Sequence, residues 1–192
     1  MLDGKKVIFI HNPKSGGTSL GRFLNVKRRT HTFPKDTLRE KYWVNSFSIV
    51  VVREPFERFL SCYYDKVLRP NDNGLTKRYG RIIKDLSPFE FLEVLIENPK
   101  HAGPQSNWTH FPSIAKPHAD LILKFEEIAK WKEELLGLGL QVQDRSLSHH
   151  NKSERSTSNH LDRLNIGPED FKLLQQNVQR VYANDYELYG YR

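Results

Sequence analysis

One short turn of this chain, Pro13-Lys-Ser-Gly-Gly-Thr-Ser19, crowds a lysine, two adjacent glycines and three hydroxyl residues together. Those residue types suit an anion. Glycines let backbone N–H groups approach a phosphate, a helix opening behind the turn aims its N-terminal N–H groups at it, and a lysine supplies the charge. Val7-Ile-Phe-Ile10, just ahead, reads as a buried strand, and Leu20, Phe23 and Leu24 behind it fall at helical spacing. The order of residues decides which kind of phosphate site this is. A Walker loop places its lysine after the glycines, whereas Lys14 here precedes Gly16 and Gly17, so the Walker pattern does not apply. His11, before Asn12-Pro13, reads as a brace for the turn.

A second cluster follows a few dozen residues later. Phe47-Ser-Ile-Val-Val-Val52 is a β-branched run suited to a strand buried on both faces. It leads into Arg53-Glu-Pro-Phe-Glu-Arg58-Phe-Leu-Ser61. Pro55 suits the first helical position, where its missing N–H costs nothing. Arg58 and Ser61 then lie one turn apart on one face. Arg53 at the strand end and Ser61 on the helix are expected to reach one phosphate, by guanidinium fork and by hydroxyl.

In this order the two clusters resemble the sulfotransferases that use 3′-phosphoadenosine 5′-phosphosulfate (PAPS). The first is similar to their 5′-phosphosulfate loop and the second to their 3′-phosphate element. Later segments extend the resemblance to the carbohydrate (Golgi-type, heparan/chondroitin-like) branch: His31-Thr-Phe, Gly103-Pro-Gln-Ser-Asn-Trp108, Leu121-Ile-Leu-Lys-Phe-Glu126, Leu147-Ser-His-His-Asn-Lys-Ser153 and Tyr182-Ala-Asn-Asp-Tyr-Glu-Leu-Tyr-Gly-Tyr191. The chain departs from that pattern at Asn12, where an apolar residue is usual, and at Lys124, which stands for arginine.

The resemblance implies transfer of a sulfuryl group from PAPS to an acceptor hydroxyl, with adenosine 3′,5′-bisphosphate leaving. Charge builds on the bridging oxygen as the sulfur is attacked, so a fixed cation and N–H donors there stabilise the transition state. Lys14 is expected in that role, helped by the backbone of Gly16, Gly17 and Thr18 and the hydroxyls of Ser15, Thr18 and Ser19. Arg53, Arg58 and Ser61 would hold the 3′-phosphate. His31 is the leading choice for the general base, because an imidazole titrates near working pH; a packing histidine is the competing reading, and His149, His110 and Glu40 are alternatives. Trp108, His149, Asn151 and Ser153 are expected to border the acceptor or cosubstrate pocket, while the core reading is favoured for Trp43 and Trp131. No clustered His/Cys/Asp pattern points to a metal.

The elements needed to position these groups can be read from periodicity. Three strands are expected, Val7–Ile10, Phe47–Val52 and Asp120–Phe125, with a short fourth over Thr30–Phe33. Asp36 or Thr37 would cap a helix running to Tyr42. Helices are also expected after Pro55, after Ser87-Pro88 with Phe91, Leu92, Leu95 and Ile96 inward, from about Glu126 to Leu136, and after Pro168. Alternating strands and helices imply an α/β, P-loop-like three-layer fold with a central parallel sheet flanked by helices, and ligands bind at the carboxyl ends of such strands. Residues 1–192 are read as a single domain.

Composition narrows the class further. The 192 residues are 38% hydrophobic and 28% charged, which is globular. Cys62 is the only cysteine, so no internal disulfide forms. No apolar run reaches the ~20 residues a membrane span requires, and neither a signal peptide nor an anchor is expected. The reading is a cytoplasmic, soluble, microbial protein, with an excised lumenal catalytic domain as the alternative. A net charge of +7 and an isoelectric point near 9.4 would attract a polyanionic cosubstrate. Lys27-Arg28-Arg29 reads as a solvated helix end rather than a nucleic-acid stripe, so nucleic acid is not an expected partner. The expected partner is a hydroxyl-bearing acceptor, a glycan or glycolipid. Two other classes compete: a nucleotide kinase or NTPase with a variant loop, which needs a Mg²⁺-binding acid at a strand end, and a non-catalytic nucleotide- or glycan-binding module.

Overall fold

A computed structural model describes residues 2–26, 33–68, 80–99, 102–113, 115–142 and 157–192, with backbone alone at 80–82 and 157–159. The chain divides into two compact units, Met1–Glu54 with Pro104–His150, and Pro55–Gly103 with Asn151–Arg192.

The first unit is built on strands β1 (Lys6–Ile10), β2 (Ser46–Val52) and β3 (Leu121–Lys124), all parallel in the order β1-β2-β3. Register pairs Ile10 with Val50 and Val52 with Lys124. The β-branched run of β2 lies in the centre, and Ile49, Val50, Val51 and Val52 are all buried. Strand side chains alternate between faces. Ile49 and Val51 pack with Leu20, Phe23, Leu123, Trp131 and Leu135. Val50 packs with Ile10, Phe33, Trp43, Trp108 and Phe111. Helix α1 (Gly17–Phe23) and the helix Trp131–Gly137 supply the first cluster; the start of α2 (Pro34–Thr37) and α3 (Glu40–Val44) contribute to the second. A parallel sheet covered on both faces by helices is the α/β, P-loop-like arrangement expected from the sequence.

Side chains lock the sheet's other end. Asp120 Oδ2 accepts hydrogen bonds from the Ser48 N–H at 2.6 Å and the Ser48 hydroxyl at 2.8 Å, and pairs with Lys116 Nζ at 2.5 Å. Lys116 Nζ also donates to the carbonyls of Trp43 and Ser46, and the Trp43 indole N–H donates to the Lys116 carbonyl at 2.7 Å. The start of β3 is thereby pinned to β2.

The second unit is helical. Helix α4 (Pro55–Lys66) starts on proline, and it buries Phe59, Leu60, Cys62, Tyr63 and Tyr64 against Phe91, Leu95, Phe171, Leu174 and Val178. The helix Pro88–Glu97 opens with a capping box: the Ser87 N–H donates to Glu90 Oε2 at 2.7 Å, and the Glu90 N–H donates to Ser87 Oγ. The long helix Pro168–Val181 leads into Ala183–Tyr189. Tyr64 donates its hydroxyl proton to, or shares it with, His160 Nδ1 at 2.6 Å, which joins α4 to the helix Thr157–Leu164. Burial pushes the Tyr64 hydroxyl up to about 12. Among the described residues, no helix is long and apolar enough to cross a membrane.

Four expected details differ. Asp36 and Thr37 do not cap a helix to Tyr42; they lie inside α2, and Leu38 and Arg39 are extended before α3 begins. The expected helix from Glu126 is a 3₁₀ turn over Phe125–Glu127 followed by the helix from Trp131, since the Trp131 indole is drawn back to the Lys124 carbonyl at 2.8 Å. Ile96 is exposed, not core, because Phe91, Leu92 and Leu95 already fill the buried face. The helix Thr157–Leu164 is not among the expected helices. The expected strand residues Thr30, His31 and Thr32 lie outside the described residues, as does Lys27-Arg28-Arg29.

Candidate phosphate-binding site

The turn after β1 is shaped by two residues in the left-handed region, Lys14 at φ 64° and Gly16 at φ 80°. Non-glycine residues adopt that region only at a cost. The turn it makes lets Gly16 end on α1, whose first turn carries no acidic residue to repel an anion. Space is the second constraint. A Cβ on Gly16 would stand 2.4 Å from the Phe125 ring, and one on Gly17 would stand 2.1 Å from the His11 ring. His11, buried under the turn, braces it as the sequence suggested. Gly16 therefore answers to packing as well as to backbone freedom, and Gly17 to packing.

Three strand ends meet at this turn. Arg53, one residue past β2, donates from Nη1 to the Lys14 carbonyl at 3.3 Å. Its guanidinium lies 4.8 Å from the centre of the Phe125 ring, one residue past β3. Arg53 is 5% exposed, so it faces the turn with most of its water already removed. The Glu126 side chain accepts from the Glu54 N–H at 2.9 Å, closing the β2 and β3 ends together. Phe125 thus serves as a floor under both Gly16 and Arg53.

Behind the turn lies a polar brace that spacing did not disclose. Gln105 is fully buried. Its Oε1 accepts from Asn12 Nδ2 at 3.0 Å, Ser15 Oγ at 3.3 Å and the Arg53 N–H at 2.9 Å. Its Nε2 donates to the Arg53 carbonyl at 2.7 Å. Asn12 Nδ2 also donates to the Val51 carbonyl at 2.9 Å. The departure at Asn12 therefore supplies an amide to a buried network. The signal for Gln105 was its place in Gly103-Pro-Gln-Ser-Asn-Trp108, but nothing local assigned it a partner.

The expected site residues divide between the units. Lys14, Ser15, Gly16, Gly17, Thr18, Ser19 and Arg53 belong to the first unit, where the strand ends gather Lys14, Ser15, Gly16 and Arg53. Ser15 is turned inward, Ser19 is half-buried and Thr18 is exposed. Arg58 and Ser61 ride α4 of the second unit. Ser61 is half-buried, while Arg58 is buried and donates from Nη1 to the Gly103 carbonyl at 2.7 Å. Burial lowers the Arg58 pKa, and Tyr182 and the buried Asp185 oppose that shift. Trp108 is fully buried, edge-on to Phe33 at 4.7 Å. His31, His149, Asn151 and Ser153 lie outside the described residues.

Of the alternative bases, His110 is half-buried and perpendicular to His118, with ring centres 4.3 Å apart. Burial, and then His118 beside it, hold its pKa below the ordinary histidine value, and the bridge between the two sets His110 beside the segment that leads into β3. Glu40 opens α3.

A parallel α/β sheet with a glycine turn, lysine and arginine at its carboxyl edge is a P-loop-like arrangement, of the class whose ligands bind at the strand ends. The chain belongs to the Sulfotransferase family, whose family model matches residues 1–192. It is accordingly a transferase that moves sulfuryl groups, and the carbohydrate branch suggested by the later motifs is consistent with that family. Neither a search of curated proteins nor one of solved structures found a match.

Proposed function

We propose that the protein transfers the sulfuryl group of PAPS to a hydroxyl of a carbohydrate acceptor, a glycan or glycolipid, and that residues 1–192 act as one sulfotransferase domain. The observation that supports it most directly is the tight turn at the β1 end, in which Lys14 and Arg53 meet over glycines that a Cβ would not fit. The family match adds the reaction class.

The residues present suit such a donor. PAPS, when bound, supplies the sulfuryl group; the acceptor oxygen forms the new O–S bond as the S–O bond to the 5′-phosphate breaks. Lys14 and the N–H groups of Gly16, Gly17 and Thr18 would hold the 5′ side, where negative charge grows on the bridging oxygen. The family resemblance assigns the 3′-phosphate to Arg53, Arg58 and Ser61. His31 would take the acceptor proton.

Calorimetric titration with adenosine 3′,5′-bisphosphate, with and without Mg²⁺ and against ATP, tests this reading. Micromolar, metal-independent binding that Arg53→Ala abolishes is the expected result. Tighter, Mg²⁺-dependent binding of ATP would overturn it.

A further inference from the structure

The buried amide of Gln105 has no part in the chemistry just described, although it touches both components of the anion site in the first unit. Resting on that reading, we infer that Gln105 is a positioning residue whose neutral amide sets the spacing between the phosphate turn and the end of β2, so that Lys14 and Arg53 are preorganised for the cosubstrate's anionic groups.

The hydrogen bonds dictate an amide. Oε1 faces three donors, Asn12 Nδ2, Ser15 Oγ and the Arg53 N–H, while Nε2 faces an acceptor, the Arg53 carbonyl. Two of these partners belong to the turn and two to the strand end, so a single planar group sets both. A methionine of similar length would leave those donors and the carbonyl unmatched in a buried place, which is costly. An ionised glutamate would keep the acceptor but turn a second oxygen toward the Arg53 carbonyl. It would also bury a negative charge beside groups that must receive an anion. A protonated glutamate restores a donor, and burial raises the pKa of a glutamate carboxyl. Gln105→Glu should therefore be a pH-dependent lesion, whereas Gln105→Met should not.

The test compares wild type, Q105E and Q105M, each checked for folding by circular dichroism and melting. Each is titrated with adenosine 3′,5′-bisphosphate at pH 8 and at pH 5.5. Backbone hydrogen exchange is followed without ligand. Q105E is expected to bind about tenfold or more weakly than wild type at pH 8. Its ratio to wild type should narrow several-fold at pH 5.5, while Q105M should keep a similar deficit at both. Exchange should quicken in Q105M over residues 13–19 and at Arg53, and stay unchanged in α3 and in the helix Trp131–Gly137. A folded Q105E that matches wild type at both pH values overturns the inference, as does a folded Q105M with wild-type exchange. If wild type itself fails to bind the bisphosphate, the functional reading falls. Exchange alone then decides for Gln105: local loosening sustains the brace, and wild-type protection in Q105M removes it.

Discussion

At Lys14 the turn holds a non-glycine residue at φ 64°, a conformation that costs roughly 1–2 kcal/mol for an L-residue. Replacing it with glycine would relieve that strain while removing the cation. Glycine's greater unfolded-state freedom costs roughly 0.5–1 kcal/mol and offsets part of the relief. Lys14→Gly is therefore expected to leave the melting temperature unchanged or slightly raised yet to lower kcat about 10²–10³-fold, as loss of a transition-state donor does. A melting curve and a sulfuryl-transfer assay on the same preparation would show it, and a large drop in melting temperature would count against this account. Lys14, Gly16 and Gly17 were legible in the sequence because their types and adjacency are themselves the signal. Gln105 was not, because its partners Asn12, Ser15 and Arg53 lie tens of residues away and no local period encodes such a contact. Phe125 was read only as the end of a strand, although the space above its ring sets the need for glycine at Gly16.

Among the elements, the backbone pairing of β2 with β3 is reinforced at its start by one carboxylate. Burial would raise the Asp120 pKa, but hydrogen bonds from Lys116 and from the Ser48 N–H and hydroxyl outweigh it, so the group sits below its ordinary value of 3.8. A carboxylate depressed in the folded state adds stability that is fully present above its unfolded pKa. That contribution is lost as pH falls through the folded pKa, here in the window below 3.8. Asp120→Asn is expected to destabilise by about 1 kcal/mol at pH 7, a modest value because the carboxylate is partly exposed. The gap should shrink by pH 3, as urea denaturation at the two pH values would reveal; an equal gap at both would contradict it. The strand β2 was legible because a β-branched run buried on both faces admits little else. Helix ends were less so: the break at Leu38–Arg39 and the 3₁₀ turn at Phe125–Glu127 arise from backbone geometry and from the pull of Trp131, which periodicity does not record. The helix Thr157–Leu164 hid behind a polar sequence whose buried contacts include a histidine, His160.

For the whole molecule, the division into two units raises the question of whether residues 1–192 unfold together. The sequence pointed to a single domain from length and motif order, and nothing in those properties marks where Glu54 ends one unit and Pro55 begins the next. The three tryptophans, Trp43, Trp108 and Trp131, all belong to the first unit and are fully buried. Cys62 belongs to the second and is equally buried. Indole emission thus reports the loosening of one unit, and alkylation of the lone thiol reports that of the other, with no label engineered into either. If the chain is one cooperative domain, the two signals should change at the same denaturant concentration; transitions that separate would mark two independently melting halves. The placement of four ordinary side chains gives the unaltered protein a pair of built-in reporters, one optical and one chemical.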